Sequence, residues 1–234
     1  MKLITWHQHV LAEQPERRAL EQQTGLNLRR TNRLTELLIG GALACLKNQA
    51  PLPHNTALIV CSRHGALSDC KTAIKQVMAD NSPPMPFTLM NTQHNMALLH
   101  LANALALQPQ QTLLLSATPS AFVNTLWLAQ HYLDASTTQT ALIGFVDEDG
   151  SESQTGECSF FYVNNDTTTT SAATWQIHCE IKLAASTLLA HNTLVPDDIW
   201  SALASPQTHI QQAYPLSATQ HWQLTLQKNA QPAE

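Results

Sequence analysis

The polar side chains best suited to chemistry occupy one short turn, Thr92-Gln93-His94-Asn95. It separates the apolar residues 87–91 from an apolar run that begins at Met96. A histidine beside an asparagine can act as a general base with an orienting amide. A turn that leads into a helix also suits a nucleophile, because the unpaired N–H groups of a helix N-terminus stabilise negative charge. The alternative interpretation is structural, with the His-Asn pair capping the helix.

Three serines, Ser82, Ser116 and Ser120, are candidate nucleophiles for His94. None of them lies in the G-x-S-x-G setting that exposes a serine on a turn between a strand and a helix. An independent hydrolase or transferase that uses His94 and a nearby serine stays open as an alternative function, without a motif that supports it.

Cys61, His64 and Cys70 carry the donor atoms of a metal site within ten residues of sequence. Their spacing matches no common zinc pattern, and no fourth ligand is evident. We therefore predict no metal and no cofactor. Arg63-His64 is expected to tie down a loop rather than to bind phosphate, because no glycine-rich fingerprint follows any strand.

A pair of carboxylates, Asp147 and Glu148, follows another apolar run. Paired carboxylates can perform acid–base catalysis when their distance is suitable. Because these two stand at the end of a predicted strand, we expect them to form a solvated turn instead.

Charged residues make up only 12% of the 234 residues, about half the usual share, whereas 44% are hydrophobic. A chain of this length can bury a large core, and a surface so poor in charge suggests that a partner covers part of it. The net charge is −5, and the only basic cluster is Arg29, Arg30 and Arg33. Nucleic acid is therefore not a predicted ligand.

The five cysteines form no CxxC pair, which indicates reduced thiols. No apolar run reaches the roughly 18 residues that a membrane span needs, and the N-terminal residues 1–14 are too polar for a signal peptide. We expect a cytoplasmic protein without a membrane span.

Apolar periodicity predicts strands that alternate with helices over the first 150 residues. The predicted strands are 3–10, 56–61, 87–91, 112–116 and 140–146, and the predicted helices are 33–46, 67–78, 120–133 and one that starts at Met96. The first strand is expected at an edge of the sheet, and the helix from Met96 is expected to be buried on most sides. Thr31 or Asn32 is expected to cap the helix that starts at Arg33.

Residues 151–234 are predicted to be rich in strands, at 158–164, 175–183 and 222–226, with one or two short helices near Pro196 and Pro206. The alternation of strands and helices predicts an α/β fold with a mixed, mostly parallel sheet and helices on both faces. The whole chain, 1–234, is expected to be a single domain with a core at 1–150 and a C-terminal extension at 151–234.

Four motifs in this order resemble the N-terminal half of a β-ketoacyl synthase. They are Ser62-Arg63-His64-Gly65 after a strand, Ser82-Pro83 with Phe87, His94-Asn95 at a turn, and Asp147-Glu148 at a strand end. More narrowly, the chain resembles short synthase-like proteins found with aryl polyene biosynthesis. The resemblance covers residues 30–150 and implies a thiolase-like fold that corresponds to half of a ketosynthase.

The resemblance also implies what is missing. A condensing synthase carries a nucleophilic cysteine at a strand-to-helix turn and two histidines in its second half. No cysteine occurs here between Cys70 and Cys158, and the chain ends where that second half would begin. Because an amide or an imidazole cannot replace a thiolate, the implied protein is a catalytically inactive chain length factor with Gln93 near the place of the lost cysteine.

Such a subunit is expected to form a heterodimer with an active, cysteine-bearing ketosynthase and to meet an acyl carrier protein through that complex. The resemblance implies that the strand before the turn pairs with its counterpart, so residues 87–91 are the expected edge. The residues expected at the partner interface and the acyl tunnel are Phe87, Thr88, Leu89, Met90, Asn91, Thr92, Gln93, His94, Asn95 and Met96. Ser62, Arg63, His64 and Gly65 are expected to form a structural motif. A homodimeric scaffold is the remaining alternative.

Overall fold

The structure, a computed structural model, describes residues 1–10, 17–109, 111–116, 121–135, 139–148, 156–165, 175–183, 199, 203–204, 209–215 and 220–228. Its elements in chain order are β1 (Lys2–Val10), α1 (Arg17–Thr24), α2 (Arg33–Leu46), β2 (Ala57–Ser62), α3 (Leu67–Met78), α4 (Pro86–Asn91), α5 (His94–Ala104), β3 (Thr112–Ser116), α6 (Ala121–Ala135), β4 (Thr140–Glu148), β5 (Gly156–Asn164), β6 (Trp175–Leu183), β7 (His209–Pro215) and β8 (Gln220–Lys228). In this described part of the chain, no helix has the length and hydropathy needed to cross a membrane.

The described strands form one eight-stranded sheet in the order β3-β2-β4-β5-β1-β6-β8-β7. β2 pairs in parallel with β3 and with β4, and every other neighbouring pair is antiparallel. The mixed sheet of the α/β class agrees with the prediction, but the prediction of a mostly parallel sheet is wrong, because only two of the seven neighbouring pairs of described strands are parallel. Parallel pairing is confined to the β3-β2-β4 end, although β1 and β8 also run in the direction of these three strands.

The predicted edge position of the first strand is wrong. β1 lies inside the sheet, where β5 pairs along its whole length and β6 pairs near its start. Alternation of apolar and polar residues indicates one covered face, but it carries no information on how many strands flank the strand. Leu3 is accordingly fully buried while Trp6 is partly exposed.

The helices α2 and α3 begin and end at the residues that the sequence predicted. Asn32 rather than Thr31 caps α2, because its Oδ1 accepts hydrogen bonds from the N–H (2.8 Å) and the Oγ1 (2.6 Å) of Thr35. The strands β2, β3 and β4 match their predicted apolar runs to within two residues. The predicted start of α6 at Ser120 lies outside the described residues.

The prediction of a strand at 87–91 is wrong, because these residues belong to α4. Pro86 occupies the first turn of this helix, where proline sacrifices no hydrogen bond. The N–H of Thr92 donates to the carbonyl oxygen of Thr88 at 3.2 Å. In a run of five residues, apolar periodicity cannot distinguish a strand from a helical turn. The next helix, α5, begins at His94 rather than at Met96.

Helices cover both faces of the sheet, as predicted. On one face α6 buries Phe122, Val123 and Leu126 against residues of β2, β4, β5, β6 and β8. On the other face α2 and α5 pack against the opposite side of β2, β4 and β5. The prediction that the helix after residue 96 is buried on most sides is wrong, since Leu99 of α5 is 52% exposed.

The C-terminal strands β6, β8 and β7 continue the same sheet. Trp175 and Ile177 of β6 and Leu224 and Leu226 of β8 are buried in the core that surrounds α6. The strands predicted at 158–164, 175–183 and 222–226 are therefore confirmed within β5, β6 and β8. The sequence did not predict β7, whose residues HIQQAYP are mostly polar. The helices predicted near Pro196 and Pro206 fall largely outside the described residues.

Candidate functional site

Asp147, at the end of β4, is buried and holds the turn that follows β2. Its Oδ1 accepts hydrogen bonds from Ser62 Oγ (2.8 Å) and from the backbone N–H groups of Arg63 (2.7 Å) and His64 (3.3 Å). Its Oδ2 accepts a hydrogen bond from Arg63 Nε at 2.5 Å. Ser62 Oγ in turn accepts a hydrogen bond from the N–H of Gly65 at 2.8 Å. The Ser62-Arg63-His64-Gly65 motif is thus a turn built around one carboxylate.

Glu148 joins the N-termini of two helices. Its Oε1 accepts a hydrogen bond from the N–H of Leu34 in the first turn of α2 at 2.9 Å. Its Oε2 accepts hydrogen bonds from the N–H (2.9 Å) and the Oγ (2.6 Å) of Ser68 in the first turn of α3. A carboxylate at a helix N-terminus satisfies N–H groups that have no partner within the helix and interacts favourably with the helix dipole. One side chain therefore fixes α2 and α3 against β4.

The prediction of a solvated turn at Asp147 and Glu148 is wrong, since each residue is only 2% exposed. Their oxygen atoms are occupied by donors of the chain itself, which leaves them unsuited to acid–base catalysis. The sequence did contain a signal for this burial, namely two carboxylates at the end of a predicted parallel strand. Parallel strands bring their carboxyl ends, and the turns and helix starts that follow them, to one edge of the sheet. The N–H groups of the turn after β2 and of two helix starts need acceptors there.

The ring of His94 packs against Gly65 and so connects α5 to the turn after β2. Gly65 has a φ of +61°, which glycine adopts at little cost. A Cβ at this position would lie 2.3 Å from both Cε1 and Nε2 of His94. The cap residue of α5 is Gln93, which makes no side-chain capping hydrogen bond. The predicted capping role of His94-Asn95 is therefore wrong.

A set of hydrogen bonds attaches α4 to the start of α2. Asn32 Nδ2 donates to the carbonyl oxygen of Asn91 at 2.8 Å, and Asn91 Nδ2 donates to the carbonyl oxygen of Arg30 at 3.2 Å. The side chain of Asn91 also hydrogen-bonds Asp69, whose pKa is raised by burial. The Arg30 guanidinium lies 4.2 Å from the centre of the Phe87 ring, which is a cation–π contact. The segment 86–92 is thus held in one place although it buries little.

Exposed apolar side chains cover the end of α3, the residue before α4, α4 itself and part of α5, and we call this region the apolar helix surface. Its members are Ile74, Val77, Met78, Met85, Phe87, Leu89, Met90 and Leu99. They are eight of the nine large hydrophobic residues that are exposed in the described part of the chain. Neither α3 nor α4 contains a fully buried residue. Large exposed apolar regions are rare on monomeric proteins and mark contact with another molecule.

The sequence predicted that residues 92–95 connect a strand to an enclosed helix, and this prediction is wrong. Residues 92–95 join two helices, α4 and α5. A strand followed by an enclosed helix occurs instead at β3 and α6. The linking residues 117–120 read Ala-Thr-Pro-Ser, lie outside the described residues and include no cysteine. Gln93 is consequently not at the end of a strand, where the resemblance would place the lost nucleophile.

The cysteines are not placed to act as nucleophiles. Burial raises the pKa of four thiols to about 12, those of Cys45, Cys61, Cys158 and Cys179. Cys70 on α3 is partly exposed, and its pKa is also raised, mainly by desolvation. A raised pKa disfavours the thiolate, which is the nucleophilic form of cysteine. Within the described residues, no group of three His, Cys, Asp or Glu side chains could hold a metal ion.

Comparison with known proteins shows similarity of structure without detectable similarity of sequence. No family model and no curated protein sequence matches the chain. A chain of the complex of the ketosynthase ApeO with its chain length factor ApeC from Xenorhabdus doucetiae matches with a TM-score of 0.63 and 14% identity, over 96% of this chain and 99% of that chain. A chain of the ishigamide ketosynthase/chain length factor matches with a TM-score of 0.69 and 12% identity, over 90% and 85%.

A third match is a chain of AntDE:AntF, a type II polyketide synthase acyl-carrier protein in complex with its ketosynthase. It has a TM-score of 0.59 and 10% identity, over 85% of this chain and 84% of that chain. At these identities the comparisons establish the fold. The chain has the thiolase-like ketosynthase fold that the sequence motifs predicted.

We expect Gly65→Ala to lower the free energy of unfolding by about 2–4 kcal/mol, from left-handed backbone strain of about 1 kcal/mol and overpacking against His94 of about 1–3 kcal/mol. Gly25→Ala is the matched control, because Gly25 has a φ of +71° and nothing within 4 Å of a Cβ. It should lose only the strain energy. Urea unfolding of both variants, and of Gly65→Ala in a His94→Ala background, measures the difference; equal losses at the two glycines would contradict the packing role.

Asp147→Asn should destabilise the chain by about 1–3 kcal/mol, because a neutral amide replaces the buried carboxylate that accepts hydrogen bonds from Ser62 Oγ and from the N–H groups of Arg63 and His64. The matched control is Glu157→Gln. Glu157 meets the same Arg63 guanidinium, at the surface of β5. Its loss should cost less than about 1 kcal/mol. Denaturant midpoints that shift equally in the two variants would show that the buried Asp147 carboxylate contributes no more to stability than the more exposed Glu157.

In alkylation of the native chain at pH 7.5, only Cys70 should react, and slowly, because the other thiols are buried and protonated. Intact-mass measurement should give at most one adduct before unfolding and five after it, and Cys70→Ser should remove the native adduct. An acyl thioester should leave the native chain unmodified. Stoichiometric acylation, at a cysteine or at a serine, would instead establish an independent acyl-transfer enzyme.

Proposed function

We propose that this chain is a chain length factor, a ketosynthase-like subunit without condensing activity that forms a heterodimer with an active ketosynthase. In this role it helps to shape the partner's acyl tunnel during aryl polyene, polyketide or fatty-acid-type chain elongation. The proposed compartment is the cytoplasm, and the proposed acyl carrier protein meets the complex rather than the isolated chain.

One observation carries this proposal: the segment that joins β3 to the enclosed helix α6 has no cysteine. A condensing enzyme needs a thiolate at such a turn to hold the acyl chain. The sequence there is Ala-Thr-Pro-Ser, and burial raises the pKa of the five cysteine thiols that lie elsewhere in the chain. The fold of a condensing enzyme combined with this chemistry favours a subunit that supports a reaction without performing it.

The proposed main-chain contact with the partner is the free edge of β3. Leu58 of β2 donates its N–H to the carbonyl oxygen of Gln111 at 2.9 Å, and in a parallel ladder this turns the N–H and C=O groups of Leu114 away from the sheet. The residues of β3 are TLLLS, without charge or proline, so nothing on this strand discourages pairing. The opposite edge, β7, is more polar and ends in Pro215, which suits a solvent-exposed edge.

The apolar helix surface is the proposed side-chain contact. α5 packs against β3, α4 packs against α5, and α3 packs against α4, so this surface continues from the free strand edge. Residues 87–96, from Phe87 to Met96, belong to it or adjoin it, and they keep their proposed place at the partner interface and the acyl tunnel. Their backbone is helical there, so side chains rather than main-chain pairing make the contact. A surface of this kind resembles the apolar centre of a permanent interface.

Co-expression with a ketosynthase, followed by size-exclusion chromatography, tests the proposal: we expect a stable 1:1 complex. Leu114→Pro should weaken this complex tenfold or more, because it removes the N–H of the free edge. Leu114→Ala is the matched control, since it also loses the leucine side chain but keeps the N–H. A complex that tolerates proline and alanine equally would argue against strand pairing at β3.

Leu89→Glu and Leu99→Glu test the apolar helix surface in the same assay. Each should weaken the complex by at least about 1.4 kcal/mol, a factor of ten, because a charge would be buried at the interface. Trp6→Gln removes an exposed apolar side chain outside this surface and should leave the affinity unchanged. A chain that stays monomeric with every ketosynthase offered to it would overturn the proposed function.

A further inference from the structure

The methionines of the chain are concentrated on one surface. Four of the five lie between the end of α3 and the first turn of α5, and three of these, Met78, Met85 and Met90, are exposed by 79%, 64% and 44%. All three belong to the apolar helix surface, and we call them the exposed methionines. Met96 is only partly exposed, and Met1 packs in part against the core around α6. Methionine is usually a buried residue, so three exposed thioethers on one surface call for a physical reason.

Backbone contacts rather than burial hold the exposed methionines in position. Met78 is the last residue of α3, Met85 is the cap residue of α4, Met90 lies within α4, and the two helices pack against each other. The N–H of Met85 donates to Gln76 Oε1 at 3.2 Å, which ties the start of α4 to α3. The carbonyl oxygen of Met90 accepts a hydrogen bond from the N–H of Gln93 at 3.1 Å. Because none of the three thioethers lies in a core, a chemical change at sulfur alters the surface without opening the fold.

The thiols of the chain are poorly placed to react with an oxidant. Four of the five are buried, and burial raises the pKa of each to about 12. Cys70 on α3 is partly exposed, and desolvation raises its pKa as well. Peroxides attack the thiolate rather than the thiol, so a raised pKa slows the oxidation of cysteine. A thioether has no proton to lose, and its reactivity follows its exposure. Oxidation of the native chain therefore falls first on the exposed methionines.

We propose that Met78, Met85 and Met90 form a reversible oxidation site for hydrogen peroxide and that their oxidation weakens binding of the partner, the second part resting on the proposed function. The lone pair of the thioether sulfur attacks one oxygen of the peroxide, the O–O bond breaks, and a proton transfer releases the other oxygen as water. Sulfur is oxidised to the sulfoxide, and the peroxide is reduced. The product carries a polar S=O group on a side chain that was apolar.

A sulfoxide at this surface acts against the partner rather than against the fold. An S=O group buried in an apolar contact without a hydrogen-bond donor is an unpaired polar group, which is costly to desolvate. In the assembled complex the partner would cover the same sulfur atoms, so the reaction is open to the unassembled chain. Methionine sulfoxide reductases restore the thioether, which makes the modification reversible.

Peptide mapping of the isolated chain after brief treatment with about 5 mM hydrogen peroxide tests the oxidation site directly. Each exposed methionine should gain one oxygen atom at least threefold faster than Met1, the internal control, and before Cys70 is oxidised. The midpoint of urea unfolding should stay unchanged. Faster oxidation of Met1 or of a cysteine, or equal rates at all five methionines, would overturn the site. This measurement needs no partner, so it decides the oxidation site whether or not a ketosynthase binds.

Binding to a ketosynthase tests the effect on assembly, with the peroxide removed by catalase before the proteins are mixed. The oxidised chain should bind at least tenfold more weakly, and methionine sulfoxide reductases with a dithiol should restore the affinity. The variant Met78→Leu/Met85→Leu/Met90→Leu keeps apolar side chains of similar size and should bind equally well before and after treatment. Cys70→Ser is the matched control, because it removes the partly exposed thiol and should leave the sensitivity to peroxide unchanged.

A leucine variant that loses binding after treatment, or an original chain that keeps full affinity with three sulfoxides, would overturn the effect on assembly. A chain that binds no ketosynthase before treatment would overturn the proposed function and with it this effect, but not the oxidation site. The two failures are thus distinguishable.

Discussion

Two neighbouring buried carboxylates, Asp147 and Glu148, are the constraint on which the arrangement of one whole face of the sheet depends. Asp147 determines the turn after β2, and Glu148 holds the first turns of α2 and α3. Burying two charges is costly unless every lone pair meets a donor, and here backbone and side-chain donors of the chain supply that environment. Because Gly65 of the same turn meets His94, the position of α5 also follows from these carboxylates.

The two faces of the sheet differ in how completely their helices are buried. Around α6, strands from both ends of the chain close a core that includes Phe161, Trp175 and Leu224. On the other face, α2 is well buried, but α3 and α4 cover little and expose apolar side chains. The free energy of unfolding of the isolated chain therefore comes mainly from the core around α6 and from α2. The α3–α4 region would bury its apolar side chains only against a partner.

The sequence predicted elements whose signal is local and failed where position in the fold decides. α2 and α3 were predicted correctly because Asn32 and an apolar helical period define them, and the strands β2 and β4 because continuous apolar runs do. The sequence predicts a strand at residues 87–91 because a run of this length shows almost no periodicity, and it does not predict β7 because the residues of that strand are mostly polar. The burial of Asp147 and Glu148 depends on donors eighty or more residues away. The free edge at β3 depends on strand order, and a single sequence displays neither.

Main-chain pairing at β3 would supply affinity without selecting a particular partner, since any uncharged edge strand can pair with another strand. The discrimination between a ketosynthase and a second copy of this chain must therefore come from side chains around that edge. Those on α3, α4 and the residue before α4 include Met78, Met85 and Met90, whose flexible thioethers adapt to irregular surfaces. Such side chains fill an interface well but discriminate poorly between partner proteins. The element that rejects a wrong partner therefore has to be a charged side chain. One cation that adjoins this surface is Arg30, stacked on Phe87, and a partner that buried this guanidinium without an acceptor would bind weakly, because desolvation of an unpaired charge is costly.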